Sequence, residues 1–151
     1  MPTSSVVQIL TASIAPVIVI SGIGLLLLGI TNRYGRVIDR ARDLMHEMVS
    51  SDPGSAQARH LEEQLARTHD RARLLRKSMI YGSASIFFVS LMVLSLFAEQ
   101  VAGAHLDFVA LPFFAACLVT LVASIYYSIR DITISLAALE MEMSSVKKRF
   151  P

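Results

Sequence analysis

The residues with most chemical capacity in this chain are its arginines. In the run Asn32-Arg-Tyr-Gly-Arg-Val-Ile-Asp-Arg-Ala-Arg42, Arg33 and Arg36 stand within about one helical turn of the end of an apolar block. Their aliphatic stems can lie along apolar surface there while the guanidinium groups reach phosphate. Arg36 with Asp39, and Arg40 with Asp43, are spaced to pair at i,i+3. Interfacial anchoring is the expected role, shared with Arg76, Lys77 and Arg130 at the other block ends. The competing role is a ring of arginines at the inner end of a multi-chain pore, repelling cations or gathering anions.

Catalytic constellations are not apparent elsewhere. His60 and His69 are nine residues apart, which puts them on opposite faces of a helix and rules out a shared metal; with His46 they read as solvated surface residues. The single cysteine, Cys117, lies in an apolar block, so neither an intramolecular disulfide nor a four-thiolate metal site can form, and it reads as a packing residue. Gly22-Ile-Gly24 is followed by leucines and is no phosphate loop. Serine, histidine and aspartate all occur, but none in a nucleophile motif. Glu99, His105 and Asp107 form a short polar connector; repeated around an oligomer, Glu99 and Asp107 would make a cation-attracting mouth. No catalytic, cofactor-binding or metal-ligating set is expected, and the chain reads as a non-enzyme.

The elements that carry these residues follow from hydropathy. Of 151 residues 54% are apolar and the mean hydropathy is +0.56, high for a soluble domain. The excess falls in three blocks, Ile9 to Ile30, Met79 to Ala98 and Phe108 to Ile129, none containing Asp, Glu, Lys, Arg or His. About 20 helical residues cross a hydrocarbon layer of roughly 30 Å, so three transmembrane helices are predicted. The first is expected to persist in the mature protein, because nothing basic precedes it, its core is too long for a signal sequence, and Ala12 to Ala15 lie before that core. The absence of ionisable groups from the blocks argues against an intramembrane proton relay.

Basic residues set the orientation. Ten of the 14 Lys and Arg lie between Arg33 and Lys77 and four between Arg130 and Arg149, while the first eight residues and the connector 99–107 have none. The positive-inside bias predicts an external N-terminus, a cytoplasmic segment between the first two spans, a short external loop and a cytoplasmic tail. The net charge of +2 requires no nucleic-acid partner, and no reader motif is present.

The cytoplasmic segments carry three heptad-like seams. Ile30, Tyr34, Val37, Ala41, Leu44 and Met48 make the first, so the first span is predicted to leave the lipid as unbroken helix. After a turn at Ser50 to Ser55, with Asp52 as expected cap and Pro53 at the first helical position, the second seam is Ala58, Leu61, Leu65, Thr68, Ala72, Leu75 and Met79. Ile129, Ile132, Leu136, Leu139, Met143, Val146 and Phe150 form the third. An all-α fold is predicted: three transmembrane helices continuous with a cytoplasmic three-helix, coiled-coil-like bundle, helical over 31–50, 56–78 and 130–151. The tail has a second disposition, flat on anionic lipid through Lys147, Lys148 and Arg149.

Inside the membrane Ala15, Gly22 and Gly29 recur every seven residues, a small-residue stripe suited to close helix approach or to lining a pore. Ser83 with Ser90, and Ala116 with Ala123, repeat that spacing, and Pro16 predicts a kink.

The run from Ala15 to Leu44, most specifically Asn32-Arg33-Tyr-Gly-Arg36 with Asp39-Arg40-Ala-Arg42, resembles an uncharacterised family of small bacterial three-span integral membrane proteins, domain of unknown function 2721. The resemblance covers most of the chain and implies a bacterial inner-membrane location, but no activity, cofactor or catalytic residue. The expected function is therefore a self-associating scaffold, interaction or sensor module, with lipid, further copies and a cytoplasmic protein as partners. A homo-oligomeric ion channel lined by the first span is the alternative.

Overall fold

The computed structural model describes residues 3–52, 54–102 and 107–149, with the side chains of residues 14, 16–52, 54–99 and 108–136. Three helices account for it: α1 (Thr3–Val49), α2 (Ala56–Ala102) and α3 (Asp107–Arg149), with no strand among the described residues. Each contains a stretch long and apolar enough to cross a membrane. Residues Thr31 to Arg36 are helical throughout, as expected from the seam that continues through them, and the helix accommodates Gly35 without a break.

Residues divide between two compact units, Met1–Gly29 with Met79–Ser124, and Ile30–Ser78 with Ile125–Pro151. The first has an inverted pattern of burial. Leu25, Leu28, Phe87, Leu94, Phe97, Leu111 and Val119 are exposed, while Ser85 and Ser124 are buried beside a small core of Ile23, Val89 and Cys117. Water would oppose such a surface; lipid does not, and tight packing of small residues then drives helix association. Several of the described hydroxyls bond to backbone carbonyls. Ser21, Ser90 and Thr120 each donate to a carbonyl four residues back, and Ser85 Oγ donates to the Cys117 carbonyl at 3.0 Å.

Close approach occurs at Gly82, where a Cβ would lie 2.7 Å from Leu27 Cδ2 and 3.1 Å from Ser124 Oγ. This corrects the expected stripe of the second span. Ser83 and Ser90 are exposed, and the face that packs is Gly82, Ser85 and Val89. The packed positions Gly82, Ser85 and Val89 are spaced three and four apart, which keeps them on one helix face, and the small residues Gly82 and Ser124 allow α2 and α3 to approach closely there.

In the second unit, two seams stand where expected. Ile30, Val37 and Leu44 are buried and Tyr34, Ala41 and Met48 half-buried; on α2, Leu61 and Leu75 are buried with Ala58, Leu65, Thr68 and Ala72 half-buried. The third seam is displaced by one residue. Ile129, Ile132 and Leu136 are exposed, and Ser128 and Asp131 occupy the buried face. An ion pair described below compensates the carboxylate. The remainder of that seam, Leu139 to Phe150, lies outside the residues whose side chains are described, as do Lys147, Lys148 and Arg149.

Two boundaries differ from expectation. Ser55, not Asp52, caps α2: the Ala58 amide donates to Ser55 Oγ at 3.1 Å. Asp52 instead closes a turn through its carbonyl, which accepts from the Ser55 amide at 3.2 Å, and Gly54 reverses the chain at φ 91°, a region that a Cβ disfavours. Pro53 is outside the described residues. At the other end α2 continues to Ala102 and α3 starts at Asp107, so the connector expected over 99–107 is shorter. Glu99 to Ala102 contain no helix breaker, and the first glycine is Gly103.

Candidate functional site

A cleft of about 710 Å³ opens in the unit formed by Ile30–Ser78 and Ile125–Pro151. Helical periodicity builds it. Arg33, Arg36 and Arg40 fall at i, i+3 and i+7 of α1 and therefore share one face. From α2 come Thr68 and Arg71, spaced i,i+3, and from α3 come Asp131 and Ser135, spaced i,i+4.

Asp131 is the electrostatic centre of the cleft. Its side chain is 3% exposed, and Arg71 Nε donates to its Oδ1 at 3.2 Å. A buried carboxylate is tolerated only with such a partner. Arg71 is itself 32% exposed, and among the described residues its terminal nitrogens have no partner. Arg40 donates to Gln64 Oε1 at 3.4 Å and lies 4.0 Å from Glu47, a loose and solvated contact. Arg33 and Arg36 form no ion pair among the described residues. Among the described residues lining the cleft, four guanidinium groups thus face one carboxylate, a formal charge of +3.

The sequence-expected pairs Arg36–Asp39 and Arg40–Asp43 are replaced by Arg42–Asp39 at 3.4 Å. In the observed pair the acid precedes the base along the helix, the orientation that the helix dipole favours. Among the other basic residues expected at block ends, Arg76 and Arg130 are exposed, and Lys77 Nζ stands 5.6 Å from the centre of the Tyr127 ring in a cation–π contact. Arg71 and Asp131 went unnoticed in sequence. The available signal was the heptad Cys117, Ser124, Asp131, whose small and polar members argue for a polar inward face.

Gly22 and Gly29 are exposed, and a Cβ on either, or on Gly24, would meet nothing within 4 Å among the described residues; the Ala15 side chain lies outside them. A separate groove of about 540 Å³ between α1 and α2 is lined mainly by apolar groups including Ile38, Met45 and Leu65, with His69 at its margin. His60 instead contacts Gln64, 2.9 Å from its Nε2. The expected external mouth is only partly described: Glu99 is half-buried in the last turn of α2, Asp107 begins α3 with its side chain outside the described set, and His105 lies outside it altogether.

A family model described as Protein of unknown function (DUF2721) matches residues 13–141. No curated protein and no solved structure matches the chain.

Proposed function

We propose that this chain, which belongs to that family of unknown function and has three helices able to cross a membrane, is a non-enzymatic, self-associating membrane module whose arginine-rich helical unit faces the cytoplasm for docking or sensing. The observation that carries this reading is the open glycine face of α1: a Cβ on Gly22 or Gly29 would meet nothing within 4 Å among the described residues, whereas one on Gly82 would press on Leu27 and Ser124. In lipid, a flat small-residue face is the surface on which a second helix packs most closely. The apolar groove beside Ile38 and Leu65 supplies a second unfilled surface, of the sort a helix from another chain or a cytoplasmic protein would occupy.

The mass of the full chain in nanodiscs tests the reading. An oligomer is expected for the native protein, and Gly22→Leu is expected to shift it to monomer without unfolding, since the new side chain meets open space. A strictly monomeric native particle, or an oligomer indifferent to Gly22→Leu and Gly29→Leu, removes the proposal.

The channel reading draws on the same face, because three spans of one chain are too thin to enclose water. Ion flux in proteoliposomes that Gly22→Leu abolishes would establish it, and silence toward ions of either sign would leave the scaffold. For orientation, an impermeant maleimide should label Ser51→Cys from the cytoplasmic side alone, with native Cys117 silent because it is buried. Labelling from the outer side would invert the topology and relocate the basic unit to the exterior.

A further inference from the structure

We infer that the cleft between Arg33, Arg36, Arg40 and Arg71 binds a phosphate oxyanion. The inference is independent of self-association, since it rests on residues of one chain.

Charge is the first ground. Among the described residues the one carboxylate lining the cleft, Asp131, is already engaged by Arg71, and the guanidinium groups of Arg33 and Arg36 have no counter-charge there. Like charges gathered on one face repel each other, and an anion that enters removes that repulsion.

Geometry is the second ground. Asp131 takes the Nε of Arg71 and thereby holds its planar head in place, with the two terminal nitrogens left over. A guanidinium presented by that edge matches two oxygens of a phosphate, and arginine suits bidentate recognition of this kind better than lysine does. Thr68 Oγ1, which donates to the Gln64 carbonyl at 2.8 Å, and the Ser135 hydroxyl add short polar groups on the walls. At about 710 Å³ the cleft has the size of a small-molecule site and exceeds one phosphate, which leaves room for the group that carries it. Ile132 and Leu136, both partly exposed, give one wall apolar character.

A phospholipid headgroup and a soluble phosphate compound present the same oxyanion. Two probes on the full chain separate them: inorganic pyrophosphate by titration calorimetry at constant ionic strength in a phosphate-free detergent, and phosphatidylglycerol retention by native mass spectrometry, referenced to phosphatidylcholine. The double variant Arg33→Gln/Arg36→Gln should weaken binding about tenfold or more, as expected when charge-assisted hydrogen bonds are lost. Both residues are exposed and unpaired among the described residues, so helical content should be unchanged. A control with the same charge loss, Arg59→Gln/Arg67→Gln on the exposed face of α2, should bind like the native chain. A cleft-dependent pyrophosphate signal assigns the site to a soluble phosphate compound, and cleft-dependent phosphatidylglycerol retention assigns it to a headgroup. Native-like behaviour of the cleft variant toward both probes, or an equal loss in the control, overturns the inference.

Discussion

Arg71→Met is expected to be the most damaging single substitution in the unit formed by Ile30–Ser78 and Ile125–Pro151, lowering stability by about 3–5 kcal/mol. The pair is asymmetric: the Asp131 side chain is 3% exposed and that of Arg71 32%. Loss of the arginine therefore strands a carboxylate away from water, where it must either stay charged without a partner or take up a proton. Loss of the acid is milder. Asp131→Asn keeps an oxygen acceptor for Arg71 Nε, and the freed guanidinium already reaches solvent, so the expected cost is about 1 kcal/mol. The double variant Arg71→Met/Asp131→Leu should recover most of the loss, because neither charge remains to be desolvated. Equilibrium unfolding in mixed micelles, followed by helical circular dichroism, orders the three variants. Equal costs for Arg71→Met and Asp131→Asn would mean that Asp131 is solvated and that the pair contributes little.

Gly82→Leu is expected to cost about 3 kcal/mol, at the upper end of the range for overpacking. A Cβ alone would stand 2.7 Å from Leu27 Cδ2 and 3.1 Å from Ser124 Oγ, and three further carbons have no space unless α2 moves away from α1 and α3. Gly82→Ala should cost only about 1 kcal/mol: the Leu27 methyl is the end of a flexible side chain and can rotate aside, and alanine gains helix propensity over glycine. Gly22→Leu serves as the internal comparison. It adds the same atoms to a position with nothing within 4 Å, so the stability of a single chain should barely change while its association does. If Gly22→Leu unfolds the chain as readily as Gly82→Leu, the two glycines do not have the separate roles assigned to them.

The arginines show how unevenly sequence reports a site. Arg33 and Arg36 were conspicuous because they interrupt a hydropathy profile. Arg71 was one of several arginines on a charged helix, and no one-dimensional property set it apart. Its distinction depends on Asp131, 60 positions away in the chain. The third seam erred for a related reason. Ile129, Ile132 and Leu136 have the spacing of a buried stripe, yet near a lipid boundary apolar side chains are stable facing outward, and hydrophobicity loses its power to mark the inside. The same inversion hid Gly82 behind the more regular but open Gly22 and Gly29.

Composition and periodicity alone determined that this is an all-helical protein with three helices able to cross a membrane, that the first passes Thr31 to Arg36 without a joint, and that two apolar seams line α1 and the start of α2. These are local properties, since each follows from the free energy of a side chain in oil or water and from 3.6 residues per turn. Only the tertiary structure decided which small residues touch, which of the 14 basic residues meets the buried acid, and that four arginines from two helices face one cleft. Pairings between distant residues depend on how the helices are rotated against one another, and a rotation of about 100°, one residue on a helix, is enough to exchange Ile132 for Asp131 at the interface.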